Sequence, residues 1–339
     1  MITISRRMTA LLCGGLAPLL AAAALILPGQ AARAKDLTPV SIADTSPGLQ
    51  LILPQIALKK GFFAKHGLAV TLTMVTGDAG SIPALVSNSV NFAIMTSTPA
   101  LVAETKGANL QIISSLSTYP EQIVMGTALA AKLHITDKTP LAEKVKALKG
   151  QTVAVYDVGG GLQYQLEALV SAYGIKPSDV PVVGISPYTS QIIALKRGAI
   201  GAIAPAVPFG QVAVADGDGV MIADIWGGEV PSLRGTPFEV MSVERKWGEA
   251  HPQIVAAVRA ALGDAMAYLH AHPAEVVQLA HELQPKISVA VQTAAIGTGA
   301  GYPTTPEVTP EQFQAMQTFA GFSGAKTGTV TYAQAVWAH

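Results

Sequence analysis

The chain has 339 residues, 50% of them hydrophobic, with 22 Lys plus Arg, 22 Asp plus Glu and one Cys. This length suits two domains of ordinary size, and the apolar fraction excludes a disordered chain. A formal charge of zero lacks the basic excess of a nucleic-acid binder, one Cys makes neither an internal disulfide nor a Cys-rich metal site, and 6% aromatic residues leave little for stacking platforms.

Residues 1–34 read as a cleaved secretory signal. Arg6 and Arg7 form a basic start, an uncharged apolar stretch runs over residues 10–27, and Ala32-Arg33-Ala34 is a small-x-small exit. Gly14, Gly15 and Pro18 interrupt the stretch, which disfavours a retained anchor. Cys13 lies inside it without the small residue that a lipid-attachment cysteine needs before it, and Arg6-Arg7 leaves general and twin-arginine export both open. Cleavage after Ala34 removes three arginines and the Cys. The mature chain then holds 19 basic and 22 acidic residues, a formal charge of −3, and no thiol. A soluble periplasmic protein is the expectation, because no later apolar run approaches 18 residues.

The mature chain alternates short β-type runs with amphipathic ones. The spacing predicts strands over 40–43, 70–75, 91–95 and 110–114, with helices over 49–60, 81–89 and 98–106 between them. Gly61 and Gly107 stop two of these helices. The rhythm restarts at Gly150, with strands over 152–156, 182–185, 200–204 and 220–223 and helices over 162–173, 189–197 and 207–215. The last third is helical. Ile254, Val258, Leu262, Ala265 and Leu269 share one helix face, Pro252 suits its first turn, and Pro273 starts a further helix to about 283. A βαβ rhythm of this kind implies an α/β protein with mostly parallel sheets in two lobes.

Ligands of open α/β sheets sit beyond the carboxyl ends of strands, so the loops there are the candidates for function. Thr45 and Ser46 stand in the first such loop, where they serve equally as a helix cap or as polar ligand contacts. Gly80 and Ser81 stand in the second, and Ser97 and Thr98 in the third. Gly159, Gly160, Gly161 and Gln163 make a glycine-rich turn before a helix, able to cradle an anion on its N–H groups or simply to pack tightly. That turn is no P-loop, since no Gly-Lys-Ser/Thr follows, and Tyr164 stands where a dinucleotide fingerprint needs its last glycine. Pro208 and Phe209 stiffen and wall the loop after 200–204, or else Phe209 is core.

Catalytic signals are weak. There is no G-x-S-x-G elbow and, after cleavage, no cysteine nucleophile. His270, His272 and His281 lack metal-ligand spacing, Asp216-Gly217-Asp218-Gly219 reads as a turn, and no carboxylate pair stands out. Neither a metal nor a cofactor is expected.

Five segments together resemble the periplasmic substrate-binding proteins of the nitrate/sulfonate/taurine import family, which includes binders of thiamine-pyrimidine precursors. Residues 56–70, with Gly61-Phe62-Phe63 and Gly67-Leu68-Ala69-Val70, match its Gly-Phe/Tyr-Phe and Gly-Leu-x-Val. Residues 82–93 are similar to its next helix-strand stretch, with Asn88-Ser89 and Asn91 in place of Gly and Asp. Leu148-Lys149-Gly150-Gln151-Thr152-Val153-Ala154-Val155 is similar to its Leu-Lys-Gly-Lys-x-Val-Ala-Val. Residues 194–202 resemble its Ala-Leu-x-x-Gly-x-Val-Asp-Ala, with Gly201 for Asp, and Pro208-Phe209 matches the Pro-Phe/Tyr that follows.

The resemblance implies a type II periplasmic-binding-protein fold, two α/β lobes joined by a two-strand hinge. Lobe 1 would hold residues 35–121 and 244–339 and lobe 2 residues 122–243, with crossovers near 119–124 and 240–245. It implies a cleft lined by Thr45, Ser46, Gly80, Ser81, Ser97 and Thr98 from one lobe and by Gly159, Gly160, Gly161 and Gln163 from the other, with Tyr119 at the hinge. The implied role is capture of a small sulfonate, carboxylate or heterocycle by a monomer, without catalysis, and delivery to an ABC permease and its ATPase. Hydroxyls and helix N-termini suit an oxyanion, whereas loops without Arg or Lys suit a weakly charged or neutral ligand. Two alternatives stay open: an enzyme of the thiamine-pyrimidine type, disfavoured because its chemistry uses a Cys-rich motif, and a protein that presents ligand to a membrane sensor.

Overall fold

Two five-stranded sheets carry the chain, and both have the same order. The computed structural model describes residues 37–337 apart from 47, 231, 232, 234 and 298. The secretory segment read in residues 1–34 lies outside them. In the first half β1 (Thr38–Asp44), β2 (Leu68–Met74), β3 (Phe92–Thr96) and β4 (Leu110–Ser117) alternate with α1 (Ile52–Lys59), α2 (Phe62–Lys65), α3 (Gly77–Val86) and α4 (Ser97–Thr105). The second half runs β5 (Gln122–Gly126), α5 (Thr127–Lys132), α6 (Leu141–Lys146), β6 (Val153–Val155), α7 (Gly161–Ala172), β7 (Val182–Gly184), α8 (Tyr188–Lys196), β8 (Ala202–Ile203), α9 (Phe209–Ala215) and β9 (Gly219–Asp224). Then come β10 (Glu239–Glu244), α10 (Arg245–Ala250), α11 (Pro252–Ala271), α12 (Pro273–Leu283), α13 (Val289–Ile296), α14 (Pro310–Phe322) and α15 (Tyr332–Ala335).

The sheet orders are β2-β1-β3-β10-β4 and β7-β6-β8-β5-β9. In each, three strands made by βαβ steps run parallel, and one strand runs against its two neighbours. β10 is antiparallel to β3 and β4, and β5 is antiparallel to β8 and β9. These reversed strands exist because the chain passes between the sheets twice, through residues 118–121 and 225–238. The second crossing therefore lies earlier than 240–245. Residues 239–243, assigned above to the second lobe, sit inside the first sheet, where Val240, Met241 and Val243 are wholly buried between neighbouring strands.

Each sheet has its own core. Val153, Ala154, Val155, Leu166, Leu169, Ile203 and Ala223 cluster in the second lobe. Ile42, Phe92, Ile94 and Met241 cluster with α1 and α11 on one face of the first sheet. Helix α11 buries Val255, Val258, Ala261, Leu262, Ala265, Met266 and Leu269, a stripe at helical spacing. Each large side chain in that stripe stabilises by about 1.5–3 kcal/mol, and Leu262→Ala would cost about 2–5 kcal/mol through the cavity it leaves. Among the described residues α11 is the one helix long and apolar enough to cross a membrane, and this core packing accounts for its apolar face. Phe319 of α14 joins the second-lobe core although α14 also packs on α4 of the first lobe, so this helix braces both lobes.

Candidate functional site

The carboxyl ends of β1, β3 and β6 and the amino ends of β10, α3 and α7 meet at one small cavity. It has room for about 20 Å³, the space of a single water, and is lined by Thr45, Ser46, Gly77, Asp78, Thr96 and Glu239 from the first lobe and Tyr156, Asp157, Gly161, Leu162 and Tyr188 from the second. The strand-end rule places most of these groups. Glu239 arrives differently: β10 is antiparallel, and its first residue pairs with Thr96, the last residue of β3.

Two carboxylates close the cleft by reaching across it. Asp78 lies in the first turn of α3. Its Oδ1 accepts the Thr96 N–H at 2.7 Å, and its Oδ2 accepts the Thr96 hydroxyl at 2.6 Å and the Gly161 N–H of α7 at 3.1 Å. Asp157, in the loop before α7, accepts the Asp78 N–H of α3 at 3.1 Å through Oδ2. Each lobe thus supplies a carboxylate to the free N–H groups at the start of the other lobe's helix, where negative charge is favoured. The approach needs glycine. A methyl group on Gly161 would overlap the Thr96 side chain, and one on Gly77 would overlap Asp157. Gly77 also has φ +51°, which side-chain-bearing residues rarely adopt.

The remaining polar groups are buried with few partners. Gln50 donates to Ser46 Oγ at 3.0 Å and reaches Glu239 Oε1 at 3.5 Å, while Glu239 Oε2 has no partner. Gln55 donates to Asp44 Oδ2 at 3.2 Å, and Asp44 Oδ1 has none. Tyr188 is wholly buried, and its ring leans on Tyr156 at 4.6 Å and on Phe209 at 4.8 Å. Burial raises the Asp44 carboxyl to about 6 against the Gln55 hydrogen bond. Burial, then the nearby Asp78 charge, raises Asp157 to about 6. Asp78 and Glu239 are shifted upward by burial too, and for Glu239 the Asp78 charge adds to it.

Of the thirteen residues singled out from sequence, Thr45, Ser46 and Gly161 line the cavity. Ser97 and Thr98 lie beside it in the first turn of α4, with buried hydroxyls that have no partner. Ser81 is one turn into α3, because that helix starts at Gly77 rather than 81, and its hydroxyl is likewise buried and unpartnered. Gly80 faces Val75. Gly159 is exposed and donates its N–H to Gln163 Oε1 at 2.9 Å, Gly160 backs onto Asp157, and the Gln163 amide donates to Glu167 at 2.7 Å along α7. Pro208 follows a cis peptide bond, and Phe209 stands behind Tyr188. Tyr119 is core between Phe238 and Phe319, with centroids at 5.0 and 4.4 Å.

The sequence reading found no group of carboxylates; the fold assembles one from Asp78, Asp157 and Glu239. No group of three or more His, Cys, Asp or Glu among the described residues has an arrangement that could hold a metal ion.

The molecule has the type II periplasmic-binding-protein fold. It is similar to a protein of Bordetella bronchiseptica RB50, with TM-score 0.77, 21% identity and coverage of 89% of this chain and 95% of that one. It is similar to the alkanesulfonate-binding protein SsuA from Xanthomonas axonopodis pv. citri bound to MOPS, with TM-score 0.71, 19% identity and coverage of 89% and 99%. The periplasmic nitrate-binding protein NrtA from Synechocystis PCC 6803 gives TM-score 0.67, 17% identity and coverage of 84% and 81%. Identities this low speak for the fold. No curated protein matches the sequence. The model of the NMT1-like family matches residues 50–283, most of both lobes, and the chain belongs to that family.

Proposed function

We propose that this chain is an extracytoplasmic, monomeric solute-binding protein. It captures a small organic solute between its lobes by hinge closure and hands it to an ABC permease driven by a partner ATPase. The observation that carries this reading is the pair of cross-lobe hydrogen bonds, Asp157 to the Asp78 N–H and Asp78 to the Gly161 N–H, over a small polar cavity. Two short crossings join the lobes, so closure is a rotation about them. A solute that touches both lobes gains its contacts only in the closed form, and that difference in affinity drives closure. The permease then reads closure. The neighbours' printed ligands, an alkanesulfonate and nitrate, support the general role. Within the cleft, two N–H groups suited to an oxyanion, those of Asp78 and Gly161, already bind Asp157 and Asp78.

The test is small-angle scattering on protein stripped of solute by unfolding and refolding. Adding a bacterial extract filtered below about 1 kDa is expected to shrink the radius of gyration, as rigid-body closure requires. An unchanged radius would sink the reading.

A further inference from the structure

The cleft holds more carboxyl groups than its own contacts use. Glu239 is 4% exposed and lines the cavity, its Oε2 has no partner, and the Gln50 amide near its Oε1 is closer to Ser46. Asp78 and Asp157 stand in the same cavity, and none of its lining residues is Lys, Arg or His. A buried carboxylate without a counter-charge is costly, and three together repel one another. An anionic solute would add to that repulsion and would face acceptors. One N–H at the start of each of α3 and α7, that of Asp78 and that of Gly161, is taken by the protein's own carboxylates. The other wall is aromatic: Tyr156 and Tyr188 lie with centroids 4.6 Å apart. Ring faces attract cations. The space left in the closed cleft, about 20 Å³, is water-sized, so a guest enters only where the lobes stand further apart than they do here, and a compact one asks least of them.

We propose, resting on the solute-binding reading above, that the cleft selects a small organic cation, a protonated amine or an amidinium. Its N–H groups pair with Glu239 Oε2 and Asp157, and its body lies against Tyr156 and Tyr188. The cation supplies the charge that the lining lacks, and its donors fill the acceptors left open. Because Glu239 belongs to the first lobe and Asp157 to the second, one cation bridges both and favours closure.

Three near-isosteric probes separate charge from shape: acetamidinium, acetamide and acetate. Putrescine and agmatine extend the cation set; methanesulfonate, ethanesulfonate and nitrate test the other arm. Each is titrated into stripped protein at pH 8 by calorimetry, with scattering in parallel. The expected result is binding of at least one cation, at least tenfold tighter than acetamide or any of the anions, accompanied by compaction. Glu239→Gln should weaken that cation at least tenfold and Asp157→Asn should do the same, while Glu311→Gln on the exposed start of α14 should leave it unchanged. Binding of an anion with compaction overturns the cation proposal and leaves solute capture standing. Equal binding of acetamide and acetamidinium overturns it too. If none of the eight solutes binds, the cation proposal falls, and the extract experiment alone then decides whether the protein captures solutes.

Discussion

Asp78 and Asp157 cap each other's lobes. Asp157 Oδ2 accepts the Asp78 N–H at 3.1 Å, and Asp78 Oδ2 accepts the N–H of Gly161, four residues beyond Asp157, at 3.1 Å. Asp78 carries the larger load, since it also holds the Thr96 N–H and hydroxyl. Asp78→Ala strips three buried donors of their acceptor and is expected to cost about 2–4 kcal/mol in urea unfolding, given about 1–3 kcal/mol per stranded donor and partial compensation by water. Asp157→Ala removes the acceptor of the Asp78 and Ala79 N–H groups, at a less buried position. It should cost about 1 kcal/mol or less and act mainly on closure, read as a larger radius of gyration without solute. Equal losses for the two variants would contradict this division.

The second prediction isolates closure from folding. Gly161 is the first residue of α7, with backbone angles that any residue accepts, but a methyl group there overlaps Thr96 of the opposite lobe. Gly161→Ala should therefore leave urea stability within about 1 kcal/mol of wild type, the scale of the helix propensity difference. It should hold the lobes apart, raise the radius of gyration and weaken solute binding at least tenfold. A variant that closes normally would show that the Thr96 contact yields easily.

Much of the fold was legible because burial enforces a pattern. The alternation of β-type and helical runs marked β1 to β4 and β6 to β9 within a few residues, and the glycine stops after α1 and α4 fell where expected. The site was harder, for physical reasons. Looking beyond the carboxyl ends of strands leads to Thr45, Ser46 and Gly161, but Glu239 reaches the same rim from the amino end of an antiparallel strand, which no local pattern reveals. Helix α3 was placed four residues late because its start is fixed by Asp157, 79 residues away, rather than by a neighbouring side chain. That shift hid Asp78 in a loop and moved attention to Ser81. Asp157 and Tyr188 flank turns that look like connections until two lobes meet over them. One signal was available: Asp44, Asp78 and Asp157 each stand at a strand-to-helix loop, so three acids share equivalent topological positions.

Acid should stabilise the empty protein. Asp44 and Asp157 rise from 3.8 to about 6 on folding, mainly through burial, and Asp78 and Glu239 move in the same direction. The folded state then holds protons more tightly than the unfolded chain, so stability falls as pH rises from about 4 through about 6. A shift of this size is on the order of 3 kcal/mol for a fully buried group, and less for Asp157, which keeps some solvent contact. The urea midpoint of stripped protein is expected to be higher at pH 5 than at pH 8, with a shallower slope in Asp44→Asn. The acids shifted the other way, Asp264, Glu275 and Glu311, stand away from the cleft. Cation affinity should run the other way, weakening towards pH 5 as the carboxylates are neutralised. Two profiles of the same sign would contradict a carboxylate-lined cleft.

The last prediction concerns the hinge. Glu121 ends the first crossing and is wholly buried, with neither carboxyl oxygen partnered. Its backbone ties the two crossings together: its carbonyl accepts the Ile225 N–H at 3.1 Å, and it bridges Ala206. Burial alone pushes its carboxyl well above the ordinary range. The unfolded chain ionises this group near pH 4 and the folded one resists, so the glutamate destabilises the protein increasingly as pH rises. Glu121→Gln keeps the shape and removes the ionisation. It should raise the urea midpoint at pH 8, with a gain that shrinks towards pH 5, and should leave cation affinity unchanged because Glu121 does not line the cleft. Glu121→Ala should lower stability at both pH values, because it empties packed volume around Tyr119 and β5. A pH-independent gain for Glu121→Gln would mean that the carboxyl titrates normally and that the hinge admits water.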